Sequence, residues 1–484
     1  MNENFLGQKA PIRMLVALTS YGTANDNYLS RLIEEYRSMP FDVDIVVLSN
    51  LSKVPAPDIE VLVGFPGKNP WSLPFPHKKV FAERLEHYDF FVYSEDDMLM
   101  TETNLRALMK VNEVLRDDEI AGFLRSEKGQ NGAVNYPDIH ENFHWDPASI
   151  RSRGEYTLAK FTNEHAACYV LTQSQLRKAI RSGGFLVEPH EGKYDLLCSA
   201  ATDPYTQCGF TKLIPISKLD DFTLHHLSNK YAGKVGVSEA ELRMQVNAML
   251  RLAASARTPA SLLDTETKLW RGLYSKDYYE PLSEQIISMI PPEASSVLSI
   301  GCGSGATESW LVERGLRVAA VPLDPIICAT AAAKGVEMVL GDFNTARAKL
   351  DGQQFDCVLF LNVLHLAHDP VKVLSLFRDL LSPLGIVLIQ TPNMLSPRAI
   401  WGGIRDARNI RDLGSYKSTG AHLTFVGKIR NWCHRSGFKV ERNAALDRLT
   451  GNRSLESKVG FFRGKPESVK LLMAQDFVTV ATKA

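Results

Sequence analysis

The 484-residue chain is long enough for two or three domains, and a hydrophobic content of 45% is ample for packed cores. Its 55 basic and 55 acidic residues balance, which argues against a nucleic-acid binder held by bulk charge. Seven scattered cysteines with no C-x-x-C pair argue against a zinc site and for a reducing compartment. MNENFLGQKAP has no apolar signal core and no apolar run reaches bilayer length, so the expected location is cytoplasmic.

The run Ile12–Thr19, with MLVAL at its heart, reads as a buried parallel strand. Helical spacing in Tyr28–Ser38 puts Leu29, Leu32, Ile33 and Tyr36 on one face. Asp44–Ser49 and Ile59–Val63 add two strands, a βαβ-like start to an open α/β domain. A loop with four prolines, Gly64–Lys79, leads to a helix over Lys78–His87. Then an apolar strand in Asp89–Met98 runs straight into Glu95, Asp96 and Asp97. Clustered like charges need an offset, and a divalent metal is the usual one; an acidic surface cap is the other reading.

Further on, Asn104–Leu115 reads as a helix and Ala121–Ser126 as a strand. The long irregular stretch Gln130–Pro147 holds His140, His144 and Trp145, residues suited to stacking on a sugar or to a plain insertion. A strand over Glu164–Leu171 and a helix over Gln173–Ser182 follow, then four carboxylates, Glu188, Glu191, Asp195 and Asp203. The strand Thr211–Ile216 leads to His225 and His226. Neighbours on a strand face opposite ways, so only one of the two can serve a site.

Over roughly Pro11–Tyr231 this order of elements resembles the GT-A glycosyltransferases. The resemblance implies a UDP-linked nucleotide-sugar donor and a Mn²⁺ or Mg²⁺ ion. Asp97 would bind the metal directly and His226 would complete its shell. Glu95 and Asp96 would serve the donor ribose or metal-bound water. Asp195 would be the general base that deprotonates the acceptor, with Glu191 and Asp203 as alternatives.

Val237–Ala254 carries a stripe of Leu242, Val246, Met249 and Leu250 and reads as a packing helix, with a linker at Arg257–Leu262. The second chemical stretch is VLSIGCGSG, Val297–Gly305: a short strand, a glycine turn, and a helix from Ala306. Such a turn lets a ligand lie against bare backbone at a helix N-terminus. Gly301, Gly303 and Ala306 also fit the dinucleotide pattern G-x-G-x-x-A, so spacing alone leaves a nicotinamide cofactor open. Asp324 follows the second strand, Val318–Leu323. A third, Glu337–Leu340, closes on Gly341-Asp342-Phe343, and the fourth lies within Phe355–Leu366.

With GIVLIQTPN (Gly385–Asn393) and GFKVERN (Gly437–Asn443), this series resembles class I S-adenosylmethionine (SAM)-dependent methyltransferases from about Tyr279 to Ala484. The resemblance implies a seven-stranded sheet flanked by helices. Gly301, Gly303 and Gly305 would meet the methionine end of SAM, Asp324 the ribose, and Asp342 and Phe343 the adenine. Two positions depart from the family: Ser299 stands where Asp or Glu is usual, and Leu366 where many relatives have His. His422, in AHLTF, is the candidate on the acceptor side. The basic stretch Ser396–Phe425 lies where relatives carry a lid; it suits an acidic glycan, an anionic lipid carrier with a peripheral membrane contact, or solvent.

The reading is an α/β chain with two Rossmann-like domains: a GT-A-like mixed sheet over residues 1–235, a helical linker over 236–275, and a seven-stranded class I sheet over 276–484. It implies a cytoplasmic transferase that glycosylates and O-methylates a glycan or lipid-linked saccharide, with no nucleic-acid partner. The alternatives are a methyltransferase with a non-catalytic glycan-binding module, an NAD(P)-dependent oxidoreductase, and a scaffold with two degenerate sites.

Overall fold

A computed structural model describes residues 11–255, 260–397, 399–401, 415–446 and 466–484. Residues 257–259 of the linker at Arg257–Leu262 and residues 398 and 402–414 of the basic stretch therefore lie outside the described residues. The chain divides into two compact units. One holds residues 1–139 and 149–246; the other holds 140–148 and 247–484. Among the described residues, no helix is long and apolar enough to cross a membrane.

In the N-terminal unit a five-stranded sheet has the order Cys168–Thr172, Phe90–Glu95, Arg13–Ser20, Asp42–Ser49, Glu60–Val63. Its pairs are parallel except that Cys168–Thr172 runs against Phe90–Glu95. Met14 to Leu18 are fully buried, as an unbroken apolar run in a sheet covered on both faces must be. The helix Asp26–Ser38 lays Leu29, Leu32, Ile33 and Tyr36 into that core. Where the sequence suggests one helix over Lys78–His87, the helix is Pro76–Glu83, followed by a 3₁₀ turn at Leu85–His87. The proline opens the first turn, where its missing N–H costs nothing.

A second sheet joins distant parts of this unit. Thr223–His226 pairs with Leu124–Lys128 on one side and with Met98–Leu99 on the other, and Val134–Tyr136 and Val237–Ser238 extend it. Here the expected irregular stretch at Gln130–Pro147 contains a strand, Val134–Tyr136. A four-stranded sheet, Glu119–Ala121, Thr211–Pro215, Tyr156–Ala159 and Arg151–Arg153, completes the unit.

The C-terminal unit is organised on a seven-stranded sheet. Its order is Glu337–Met338, Arg317–Pro322, Ser296–Cys302, Phe355–Leu361, Leu381–Pro392, Asp476–Lys483, Phe438–Leu446. The first five strands are parallel; Asp476–Lys483 runs against both of its neighbours. Two apolar layers cover the faces, one including Leu298, Ile300, Val358, Phe360 and Phe377, the other Val297, Cys357, Leu359 and Leu388. Alternate residues of each strand thus feed opposite layers. The crevice beyond the C-terminal end of Ser296–Cys302 is where a ligand of such a sheet is held.

Candidate functional site

In the C-terminal unit, Ser296–Cys302 ends in the glycine turn, and Gly305, at φ +78°, leads into the helix Ala306–Glu313. A side chain at Gly303 would meet the Tyr278 carbonyl oxygen at 2.3 Å, so only glycine lets the turn approach that strand of chain. The same carbonyl accepts from Ser304 N at 2.8 Å. A cleft with about 300 Å³ of open space follows the turn from Gly301 to Glu308, with Lys276, Asp277, Tyr278, Glu280, Ser299 and Leu361 as the remaining wall.

The wall is acidic. Ser299 Oγ donates to Glu308 Oε1 at 2.6 Å, and both residues are buried. The carboxylate missing at position 299 is thus supplied one helical turn into the next element. Burial and the neighbouring Glu280 push the Asp277 carboxyl up to about 6. Lys276 Nζ pairs with Glu280 and donates to Leu361 O (2.8 Å), and Glu280 Oε1 accepts from Asn362 Nδ2 (2.8 Å). Asn362 holds φ +50° at the end of its strand, a conformation few non-glycine residues adopt.

Asp324 is 2% exposed, and its Oδ1 accepts from Ile326 N and Ile327 N at 2.7 and 2.9 Å. Burial raises its pKa; those backbone bonds and the nearby His144 act the other way. A cationic sulfonium cofactor with a ribose diol suits this donor set: bare backbone at the glycine turn, a fixed carboxylate at Asp324, and carboxylates along the wall.

Asp342 and Phe343 have different surroundings. Asp342 is exposed and caps the helix Phe343–Lys349, its Oδ1 accepting from Thr345 N at 2.7 Å. Phe343 packs edge-on to Phe377, ring centroids 6.3 Å apart. His422 Nε2 donates to Ala367 O at 3.1 Å, and its ring stacks on Tyr416 at 4.5 Å. Burial lowers its pKa, which keeps the imidazole neutral. None of these three residues lines the 300 Å³ cleft.

In the N-terminal unit, the register that sets His226 opposite Met98 brings His226 beside Asp97. His226 Nε2 lies 2.9 Å from Asp97 Oδ2, and its Nδ1 hydrogen-bonds Glu127, which is fully buried. Burial favours a neutral ring, but the bonds to Asp97 and Glu127 outweigh it and raise the His226 pKa. Burial also raises Asp97, and the His226 bond and charge more than reverse this. Glu95 is pushed up to about 7 by burial and by Asp97, and Asp96, which accepts from Asn25 Nδ2 at 2.7 Å, to about 6 mainly by burial.

Both ring nitrogens of His226 are committed to carboxylates. Among the described residues, no group of three or more His, Cys, Asp or Glu gathers as a metal site. The expected Mn²⁺ or Mg²⁺ does not fit Asp97 and His226 as they stand, because His226 Nε2 already faces Asp97 Oδ2 and its Nδ1 faces Glu127. Asp195 caps the helix Leu196–Thr206, its Oδ1 accepting from Cys198 N at 2.9 Å. Asp203 is buried in an ion pair with Lys78. His225 turns the other way and bonds Asn229 Oδ1 at 3.1 Å.

Glu127 and Glu308 escaped sequence reasoning. Each is a lone carboxylate within an ordinary strand or helix, and only strand pairing or helix placement brings it to its partner. His144 was visible only as one of several rings in a long loop.

A family model described as a methyltransferase domain matches residues 274–443, roughly a third of the chain. The search of curated proteins finds no match. Among solved structures, the chain is similar to a SAM-dependent methyltransferase from Archaeoglobus fulgidus at 16% identity, covering 41% of this chain and 90% of that one, with a TM-score of 0.29. A TehB-like SAM-dependent methyltransferase from Corynebacterium glutamicum matches at 20% identity, with 41% and 85% covered and a TM-score of 0.27. The mitomycin 7-O-methyltransferase MmcR matches at 16% identity and a TM-score of 0.28; the alignment takes in 40% of this chain and only about half (49%) of that one. Residues 274–443 thus carry the match to a methyltransferase domain.

Proposed function

We propose that the protein transfers a methyl group from SAM to an oxygen of a glycan or glycan precursor, with the N-terminal unit as a non-catalytic glycan-binding module. One observation carries the cofactor: the glycine turn and an acidic wall line one cleft inside the segment that matches the methyltransferase domain, and Asp324, held by Ile326 N and Ile327 N, follows the neighbouring strand Arg317–Pro322. SAM, when bound, supplies an electrophilic methyl on a cationic sulfur. The chain's part is to bind and orient. Asp324, its direction fixed by two backbone N–H groups, accepts from the ribose hydroxyls. Glu308 and Glu280 set negative charge against the cofactor's cationic end. Asn362 and Lys276 hold Glu280 in place. The glycan acceptor rests on the fusion of two domains and is an association. The test is release of S-adenosylhomocysteine from SAM on addition of acidic and neutral oligosaccharides; acceptor-dependent release that Asp324→Ala abolishes supports the reading, and no release with any saccharide argues against a glycan.

One observation favours a second reading, glycosyl transfer from a UDP-linked donor to a glycan or lipid-linked saccharide: His226 lies between Asp97 and Glu127, close to Glu95 at the end of the strand Phe90–Glu95. Hydrolysis of UDP-sugars by the wild type, lost in Asp97→Ala, would support this reading over a binding module.

A further inference from the structure

The segment His140–Ala148 leaves the N-terminal unit after Ile139 and rejoins it at Ser149, yet it folds with the C-terminal unit. Within that unit its partner is Tyr278. The His144 ring lies flat on the Tyr278 ring, centroids 4.3 Å apart and planes 6° from parallel. Glu141 O accepts from Tyr278 N at 2.8 Å, so backbone and ring are both gripped. His144 is itself held, its Nδ1 donating to Asn142 O at 3.1 Å.

Tyr278 is the piece that matters to the cleft. Its carbonyl accepts from Ser304 N and stands where a side chain at Gly303 would be. Its ring packs with Leu323 and Ile327, which flank Asp324 in sequence. Its hydroxyl bonds Thr265 at 3.0 Å. One residue therefore props both halves of the proposed cofactor site, the glycine turn through its backbone and the Asp324 corner through its ring.

We infer that the His140–Ala148 segment is a working part of the cofactor cleft, with His144 a positioning residue that holds Tyr278, and through it the glycine turn and Asp324, in binding geometry. This rests on the reading of the cleft as a SAM site. Loss of a stack of this kind is expected to weaken cofactor binding by up to about tenfold. The influence of His144 on the Asp324 carboxyl is consistent with their proximity.

The test is calorimetric titration of the full chain with S-adenosylhomocysteine, with melting of the unliganded protein alongside. His144→Ala is expected to bind about tenfold more weakly with its melting temperature nearly unchanged, and His144→Phe, which keeps a flat ring on Tyr278, to stay within about threefold of wild type. Wild-type affinity in His144→Ala would overturn the inference while leaving the SAM reading intact. Equal losses in both variants would overturn the stacking role. Should His144→Ala fail to fold, His144→Phe decides alone: near-wild-type binding supports the inference and a tenfold loss overturns it. The SAM reading fails separately, and takes this inference with it, if the wild type does not bind or Asp324→Ala binds as well as wild type.

Discussion

The two candidate sites are built in opposite ways. The C-terminal cleft is made of backbone: a glycine turn, a helix start and a strand end, all within Ser296–Ile327. The N-terminal cluster is made of side chains, Asp97, Glu127 and His226, brought from a turn and two strands far apart in sequence. The first kind of site can be read from local spacing, and the N–H groups of its turn survive side-chain substitution. The second depends on strand register and is a buried charge network, in which each member is needed to neutralise the others.

That contrast orders the expected effects. The largest is on the charge network. His226→Ala leaves Asp97 and Glu127 buried without the ring they share, and is expected to cost about 3–5 kcal/mol in chemical unfolding. A loss below about 1 kcal/mol would show that water or a rearranged side chain replaces the ring. Next comes the backbone site. Gly303→Ala forces a Cβ against the Tyr278 carbonyl, and is expected to cost ~1–3 kcal/mol of stability and to abolish measurable S-adenosylhomocysteine binding. Unchanged binding would mean that the turn is free to move.

A smaller effect is pH-dependent. The Glu95 pKa in the folded protein, about 7, is above its ordinary 4.5. Between these values the folded state holds a proton that the unfolded state has lost. The stability this contributes is complete below about pH 4.5 and is lost as pH rises through 7. Glu95→Gln should therefore match wild type in thermal melts at pH 5 and exceed it at pH 8, by on the order of 2 kcal/mol. A variant less stable than wild type at pH 8 would give the ionised carboxylate a stabilising partner. The smallest effect returns to the cleft. Ser299→Ala removes one donor from the buried Glu308, with an expected loss of about 1–2 kcal/mol and a several-fold weaker affinity for S-adenosylhomocysteine.

What could be read in the sequence follows the same division. The run around Val297–Gly305 announces its strand, turn and helix because glycine geometry is a local demand. The parallel strands are visible as apolar runs for the same reason. Asp324 is legible from its place after a strand. Glu308 is not, since its bond to Ser299 depends on where one helical turn falls over the strand. Asp97 and His226 can be matched by analogy, but the commitment of both ring nitrogens to carboxylates cannot be seen without Glu127. Asp195 and Asp342 each cap a helix, the side chain accepting from a backbone N–H, a role that the sequence does not distinguish from a ligand contact.

The most direct measurement is calorimetric titration of the full chain with S-adenosylhomocysteine, repeated on Asp324→Ala. Two charge-assisted hydrogen bonds to the ribose hydroxyls are at stake, so the account predicts binding by the wild type and a loss of about a hundredfold or more in the variant. No binding by the wild type, or equal affinity in the two proteins, would contradict the central claim that this cleft holds SAM.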